Sequence, residues 1–175
     1  TRAIFAGNLG RFQNLPMLAE GVARLFPLHP ELELCFLGDG AALPALRAAW
    51  GSHPQVRFIP AVSISKARAL LAEADIGLVA LQPGMLRVAS PSKVQTYAAL
   101  GLPLVALLDP ESELSDRIEN DGLGCVARPP TAKGVAAAVE AVLARGPRQK
   151  VPMTDPERNP LDAWPALIEG LETGR

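Results

Sequence analysis

The segment LQPGMLRVASPSKVQTYAALGLPLVA, residues 81–106, decides how this chain folds. It predicts the end of one strand, an irregular loop, a helix beginning near Ser92 and a second buried strand. Ser90 is a good N-cap and Pro91 suits the first helical position, so the helix has a defined start. Lys93 follows in the first turn, where free amides and the helix dipole favour an anion. The segment therefore indicates a phosphate site, although the same residues also form an ordinary helix start with a solvated lysine.

Composition indicates a globular protein without a general attraction for polyanions. Of its 175 residues, 49% are hydrophobic and 20% are charged, which is enough for one well-buried domain. The 17 basic and 18 acidic residues give a formal charge of −1, which argues against broad binding to nucleic acid or an anionic membrane. No signal-peptide pattern or membrane-length apolar run occurs in these residues, and a cytoplasmic location is expected. Any phosphate must then be held by a local site.

The cysteines and histidines argue against a disulfide and against a metal site. Cys35 and Cys125 each lie in an apolar run, which favours free buried thiols and a reducing compartment. His29 and His53 each stand beside a proline in a polar connection, which favours solvated loop positions. We therefore expect neither a bound metal nor an organic cofactor.

Short apolar runs alternate with segments of helical period along the chain, as in a parallel sheet with crossover helices. Six strands are predicted, at residues 3–6, 32–37, 56–59, 76–81, 104–108 and 124–127. One helix is predicted after each strand, at residues 15–26, 41–50, 66–74, 92–100, 111–120 and 132–144. This is a doubly wound, Rossmann-like α/β fold with helices on both faces, in which the first and fourth strands lie side by side.

The predicted domain spans residues 1–145, and residues 146–175 form an excursion rich in proline and charge that ends in a helix. Trp164 on that helix packs either on this domain or on a neighbouring one, and the pattern does not choose between them. The chain enters a strand almost at Thr1, with no initiator methionine. We therefore expect it to be a domain of a longer protein.

Two loops should meet where the sheet reverses direction, because doubly wound sheets bind ligands at the carboxyl ends of those strands. The first loop has Gly7 and Gly10 for sharp turns and Arg11 as a planar cation suited to a diphosphate. The second loop leads into the predicted phosphate site. Neither the dinucleotide glycine fingerprint nor a P-loop is present. Asp39 after the second strand suits the ribose of a nicotinamide cofactor, but the missing fingerprint argues against an oxidoreductase.

Six short motifs carry a family resemblance: residues 5–11 FAGNLGR, 36–40 FLGDG, 56–60 VRFIP, 74–79 ADIGLV, 91–93 PSK with 97–103 YAALGLP, and 122–124 GLG. In this order and spacing, the chain resembles the C-terminal, donor-binding domain of the GT-B retaining glycosyltransferases of group 1. The resemblance covers nearly the whole chain. In detail it looks like the subgroup that builds bacterial surface polysaccharides, such as amino-sugar transferases.

The resemblance implies that the domain holds a nucleoside-diphosphate sugar, expected to be UDP-linked. Gly7, Asn8 and Gly10 would approach the diphosphate or the sugar. Ser92 and Lys93 would bind the diphosphate from the start of the fourth helix. These residues are the expected binding contacts around the phosphate groups.

Further residues complete the implied site. The backbone around Phe58 and Pro60 would contact the base, and Thr96 and Glu111 are further expected substrate contacts. Arg11 and Lys93 are the expected catalytic residues, because positioned cations stabilise charge on the departing diphosphate in a water-poor cleft.

The chain departs from the family pattern in two places. Many relatives carry a Glu-x7-Glu pair, and those places fall here at Val88 and Thr96, so the usual ribose-binding carboxylate is absent. The Arg and Lys common in the first loop fall near Asn8 and Gln13, which leaves Arg11 as a substitute.

The acceptor site would lie mostly in an N-terminal Rossmann domain that is outside this chain. Contact with the inner face of the cell membrane would come only through the full-length enzyme. Two other functions stay open. A nucleotide-sugar epimerase would use acids after the fifth strand, such as Asp109, Glu111 or Glu113. A Rossmann module without catalysis would bind a nucleotide or nothing.

Overall fold

The computed structural model describes residues 1–87 and 92–146. Within them the chain forms strands β1 (Arg2–Ala6), β2 (Glu33–Leu37), β3 (Val56–Ile59), β4 (Ile76–Ala80), β5 (Leu104–Leu107) and β6 (Gly124–Val126). The helices are α1 (Leu15–Ala23), α2 (Leu43–Trp50), α3 (Ile64–Glu73), α4 (Ser92–Ala99), α5 (Glu113–Asn120) and α6 (Ala132–Leu143), with short 3-10 turns at Arg11–Gln13 and Met85–Arg87.

The strands form one parallel sheet in the order β3-β2-β1-β4-β5-β6. This confirms the predicted doubly wound fold and the neighbouring positions of the first and fourth strands. The predicted cap at Ser90 and Pro91 lies outside the described residues. So does the predicted excursion with its helix and Trp164, from residue 147 onward.

Helices cover both faces of the sheet. One face packs under α1, α2 and α6 and includes the buried Phe5 and Val139. The other packs under α3, α4 and α5 and includes Ile4, Tyr97 and Ile118. Every residue of β4 is buried. Burial on both faces explains why such strands appear as continuous apolar runs rather than as alternating ones.

Several predicted helix limits were wrong by one to three residues, and the first and fifth helices show why. The first helix ends at Ala23 rather than Phe26, yet Leu25 and Phe26 remain buried in the turns that follow. The spacing of these apolar residues therefore results from their contact with the core and does not indicate a longer helix. The fifth helix begins at Glu113 because the Ser112 hydroxyl accepts a hydrogen bond from an amide of its first turn.

The two thiols are free, and only one of them is fully buried. Cys35 lies in the core, and burial raises the pKa of its thiol to about 11. Cys125 is half-buried, so its predicted burial was wrong, and the Arg145 guanidinium lies 3.2 Å from its sulfur. Cys35 is therefore an inert core residue at neutral pH.

Both histidines are half-buried rather than solvated, which corrects the sequence prediction. His29 lies between two carboxylates, with one ring nitrogen 3.5 Å from Glu31 and the other 3.5 Å from Glu140. The His53 ring packs on Phe26 with 4.7 Å between ring centroids. In the described part of the chain, no three ligand-type side chains are placed to hold a metal, and no helix there has the length and apolarity to cross a membrane.

Tyr97 joins α4 to the end of β1. This is the chain's one tyrosine, and its hydroxyl accepts a hydrogen bond from the Ala6 N–H at 3.0 Å. Its ring lies over Gly77, where a Cβ would sit about 2.5 Å from a ring carbon. Burial raises the pKa of Tyr97, which therefore stays protonated. The residue fixes where α4 stands relative to the first strand.

We expect Tyr97→Phe to lower the free energy of unfolding by about 1–2 kcal/mol, because the Ala6 N–H loses its acceptor inside the protein. Urea denaturation followed by circular dichroism measures the change. Thr96→Val is the control on the same helix, since the Thr96 hydroxyl donates to a carbonyl one turn back in that helix, and it should change stability by under about 0.5 kcal/mol. Equal stability of Tyr97→Phe and wild type would contradict this role.

Candidate functional site

The loop after β1 packs directly on the loop after β2. The Gly7 N–H donates to the Leu37 carbonyl at 2.8 Å, and the Leu9 N–H donates to the Asp39 carbonyl at 2.8 Å. Gly38 has a φ of 131°, and a Cβ at this position would overlap the Gly7 carbonyl. The close backbone approach therefore requires glycine here.

A cleft of about 310 Å³ opens at the carboxyl ends of β1 and β2, and we call it the carboxyl-end cleft. Its lining residues come from the ends of β1 and β2 and from the start of α3: Ala6, Gly7, Asn8, Leu37, Gly38, Asp39, Ala61, Val62 and Ala67. Most of these side chains are apolar, with Asn8 and Asp39 as the polar ones. Open α/β sheets bind ligands in this position.

Lys93 reaches from the first turn of α4 to the loop after β1. Its Nζ lies 4.7 Å from the centroid of the Phe5 ring and 3.6 Å from where a Gly7 Cβ would be. Burial lowers the pKa of Lys93 from its usual 10.5. Within residues 1–87 and 92–146, no carboxylate forms an ion pair with it. A half-buried cation without a carboxylate suits an anionic ligand.

Hydrogen bonds from Gln82 join the loops after β1 and β4. Its backbone N–H donates to the Phe12 carbonyl at 2.8 Å, and its side-chain Nε2 donates to the Arg11 carbonyl at 3.0 Å. Arg11 itself is exposed, in the 3-10 turn that follows Gly10. The structure thus brings the backbone of Arg11 and the side chain of Lys93 to the same edge of the sheet.

The other predicted phosphate contacts lie around these two residues. Asn8 is exposed and lines the carboxyl-end cleft, with its Nδ2 about 3.1 Å from where a Gly10 Cβ would be. Ser92 is the exposed first residue of α4. The Thr96 hydroxyl donates to the Ser92 carbonyl at 3.3 Å, one turn back along the same helix. That bond occupies the hydroxyl proton of Thr96.

The remaining predicted contacts are more scattered. The Phe58 ring stacks on Phe36 with 5.5 Å between centroids, and the Arg47 guanidinium lies 5.0 Å from its centroid. Because the Phe58 ring is packed in this way, the backbone of Phe58 is the part that a ligand could contact. Pro60 is exposed and directly precedes the cleft residue Ala61. Glu111 is exposed and is not among the lining residues of the carboxyl-end cleft.

Sequence reasoning missed the apolar wall of the cleft and the residue that positions Lys93. The wall is formed by Ala61, Val62 and Ala67, at and before the start of α3. A short apolar pair in an otherwise polar connection was a weak local signal for it. The residue that positions Lys93 is Tyr97, and a single tyrosine among apolar and small residues was a usable signal for it.

A family model described as "Glycosyl transferases group 1" matches residues 1–145. The "Probable glycosyltransferase WbjE" of Pseudomonas aeruginosa is 26% identical over 122 residues, which make up 69% of this chain and 30% of that protein. The chain therefore spans less than a third of the length of this curated relative.

Two solved structures illustrate how widely the fold is shared. The catalytic domain of cholesterol-α-glucosyltransferase from Helicobacter pylori has a TM-score of 0.66 at 15% identity, covering 97% of this chain and 98% of that one. UDP-GlcNAc 2-epimerase from Methanocaldococcus jannaschii has a TM-score of 0.61 at 14% identity, covering 99% of this chain and 46% of that one. At these identities the likeness shows the fold alone.

We expect Lys93→Met to stabilise the unliganded protein by about 0.5–1 kcal/mol, because it removes a half-buried ammonium that no carboxylate of the described residues pairs with. Urea denaturation at pH 7 measures the gain. Lys133→Met is the matched control, since Lys133 is the exposed second residue of α6 just as Lys93 is the second residue of α4. Lower stability of Lys93→Met than of the control would contradict the prediction.

The stability that Lys93→Met gains over wild type should also depend on pH. Burial lowers the folded-state pKa of Lys93, so the unfolded chain binds the ammonium proton more tightly than the folded protein does. The free-energy cost of burying the charged ammonium is therefore fully present below the lowered pKa. It is lost as the pH rises from that pKa through 10.5. The advantage of Lys93→Met over wild type should therefore shrink across that window, while Lys133→Met stays level with wild type.

Proposed function

This chain belongs to the group 1 glycosyltransferases, and we propose that it is the domain that holds a nucleoside-diphosphate sugar during transfer. The observation that carries the proposal is the position of Lys93. Its half-buried ammonium lies against Gly7 and beside the carboxyl-end cleft, and it forms no ion pair within the described residues. A diphosphate would supply the missing negative charge.

The proposed chemistry forms a bond between the anomeric carbon of the sugar and an acceptor hydroxyl oxygen, which gives up its proton to the departing diphosphate, and it breaks the bond between that carbon and the distal phosphate oxygen. The bonding electrons stay on that oxygen, so negative charge grows on the departing diphosphate. The Lys93 ammonium and the amides at the start of α4 would stabilise this charge, and partial burial strengthens that effect. Arg11, exposed on the facing loop, would add a second cation once its side chain turns toward the ligand.

Finer features of the reaction belong to the same proposal. We propose that transfer retains the anomeric configuration, that the donor is UDP-linked and carries a hexose or an amino sugar, and that the product is a bacterial surface polysaccharide. A second Rossmann domain, N-terminal to this one, would hold most of the acceptor. The full-length enzyme would work in the cytoplasm, or peripherally at the inner face of the membrane. The support for these features is the family membership and the motif resemblance.

Epimerisation of a nucleotide sugar is the second candidate, because the same fold occurs in a UDP-GlcNAc 2-epimerase. It would require titratable acids or bases in the cleft. The Asp109 carboxylate instead accepts a hydrogen bond from the Gly84 N–H at 2.8 Å. Glu111 and Glu113 are exposed and outside the cleft lining. The three acids that the sequence offered for epimerisation therefore lie outside the lining of the carboxyl-end cleft.

We expect the chain to bind UDP or GDP in calorimetric titration and Lys93→Met to weaken that binding at least about tenfold, since it removes a charge-assisted contact to phosphate. Lys133→Met should bind as wild type does. Unchanged affinity in Lys93→Met would contradict the proposed diphosphate site.

We also expect the 175-residue chain alone to turn over little donor, because most of the acceptor site would lie in the other domain. NMR of the reaction mixture identifies the product. Robust sugar transfer by this chain alone would contradict the proposed division of the site. An epimerised nucleotide sugar in the mixture would instead identify the second candidate.

A further inference from the structure

One charged side chain in the carboxyl-end cleft has no role in binding phosphate. Among the described residues that line the cleft, Asp39 alone has an ionisable side chain. It is exposed and forms no ion pair in the described part of the chain. A carboxylate repels a diphosphate, so it must face a different part of any ligand that Lys93 holds.

Hydrogen bonds within the protein hold the backbone around Asp39. The Asp39 carbonyl accepts from the Leu9 N–H at 2.8 Å, and Oδ1 accepts from the Gly40 N–H at 2.7 Å. No described residue donates to Oδ2. The carboxylate is therefore oriented by its own turn and keeps one oxygen for hydrogen-bond donors on a ligand.

Asp39 and Lys93 lie on opposite sides of the end of β1. Lys93 comes from α4, which follows β4, and contacts Gly7 from that side. Asp39 follows β2, and its neighbour Gly38 abuts the Gly7 carbonyl from the other side. Neighbouring strands are about 5 Å apart, so the ends of β4, β1 and β2 span roughly 10 Å. An extended ligand can therefore place a phosphate near Lys93 and an uncharged donor group near Asp39.

We propose that Asp39 is a specificity-determining residue that accepts hydrogen bonds from a vicinal diol of the donor. The inference rests on the proposed function, because Lys93 must hold the diphosphate for the diol to reach the cleft. A diol offers adjacent hydroxyl donors to a carboxylate that pairs with no cation among the described residues. The diol belongs either to the ribose or to the transferred sugar.

The test compares nucleotides that have and lack these hydroxyls. UDP and GDP, their 2′-deoxy forms and their glucose conjugates are titrated into wild type, Asp39→Ala and Asp39→Asn by calorimetry. Asp39→Asn keeps an oxygen for the Gly40 N–H and loses the charge, so it decides the result if Asp39→Ala fails to fold. Asp121→Asn, at an exposed position after α5, is the control.

If the ribose is the source, wild type should prefer the ribonucleotide over its 2′-deoxy form by about tenfold, and both Asp39 variants should lose that preference. If the transferred sugar is the source, the variants should bind the diphosphate as wild type does and the glucose conjugate about tenfold more weakly. Either pattern supports the inference.

Two other outcomes overturn it. If both Asp39 variants bind every probe as wild type does, while Lys93→Met still binds weakly, Asp39 has no such role and the proposed diphosphate site stands. If no nucleotide binds to wild type, the proposed function and this inference fail together.

Discussion

The hydrogen bond between the Tyr97 hydroxyl and the Ala6 N–H fixes the position of α4 relative to the end of β1. Successive N–H groups of a strand point to opposite sides, and the Gly7 N–H already donates to β2. The Ala6 N–H therefore points toward β4, where the ladder with β1 has ended, and Tyr97 supplies the acceptor that a strand would have supplied. Lys93 precedes Tyr97 by four residues and shares its helix face. Fixing the tyrosine thus directs the lysine to Gly7.

Much of this arrangement could be predicted from local patterns. Buried parallel strands are continuous apolar runs, as Ile76–Ala80 is, and helices between them force a right-handed crossover topology. Leu25 and Phe26 show where prediction from apolar spacing fails. Both residues are buried against the core and continue the helical spacing, but the helix ends before them, at Ala23. The wall formed by Ala61 and Val62 was not predictable, since it depends on where α3 lies over the sheet and no local pattern records that.

The two charged side chains at the site lie apart from each other. Lys93 and Asp39 lie on opposite sides of β1 and form no ion pair with any described residue. For Lys93 the consequence is a lowered pKa, which reflects the cost of partial burial. Such a cost is typical of binding sites, where groups are oriented for a ligand rather than for the stability of the free protein. The carboxyl-end cleft thus has an apolar wall and one carboxylate, and the Lys93 ammonium lies beside the cleft without forming an ion pair with that carboxylate.

The short ladder between β1 and β4 has a mechanical consequence. Only two residues of β1 pair with β4, fewer than between any other neighbouring strands of the sheet. Strands β3, β2 and β1 are therefore joined to β4, β5 and β6 by the shortest ladder of the sheet, and Lys93 lies near the end of β1 beyond that ladder. A molecule that touched both groups of strands there would add a connection where the ladder is shortest, and its binding would stabilise the folded protein.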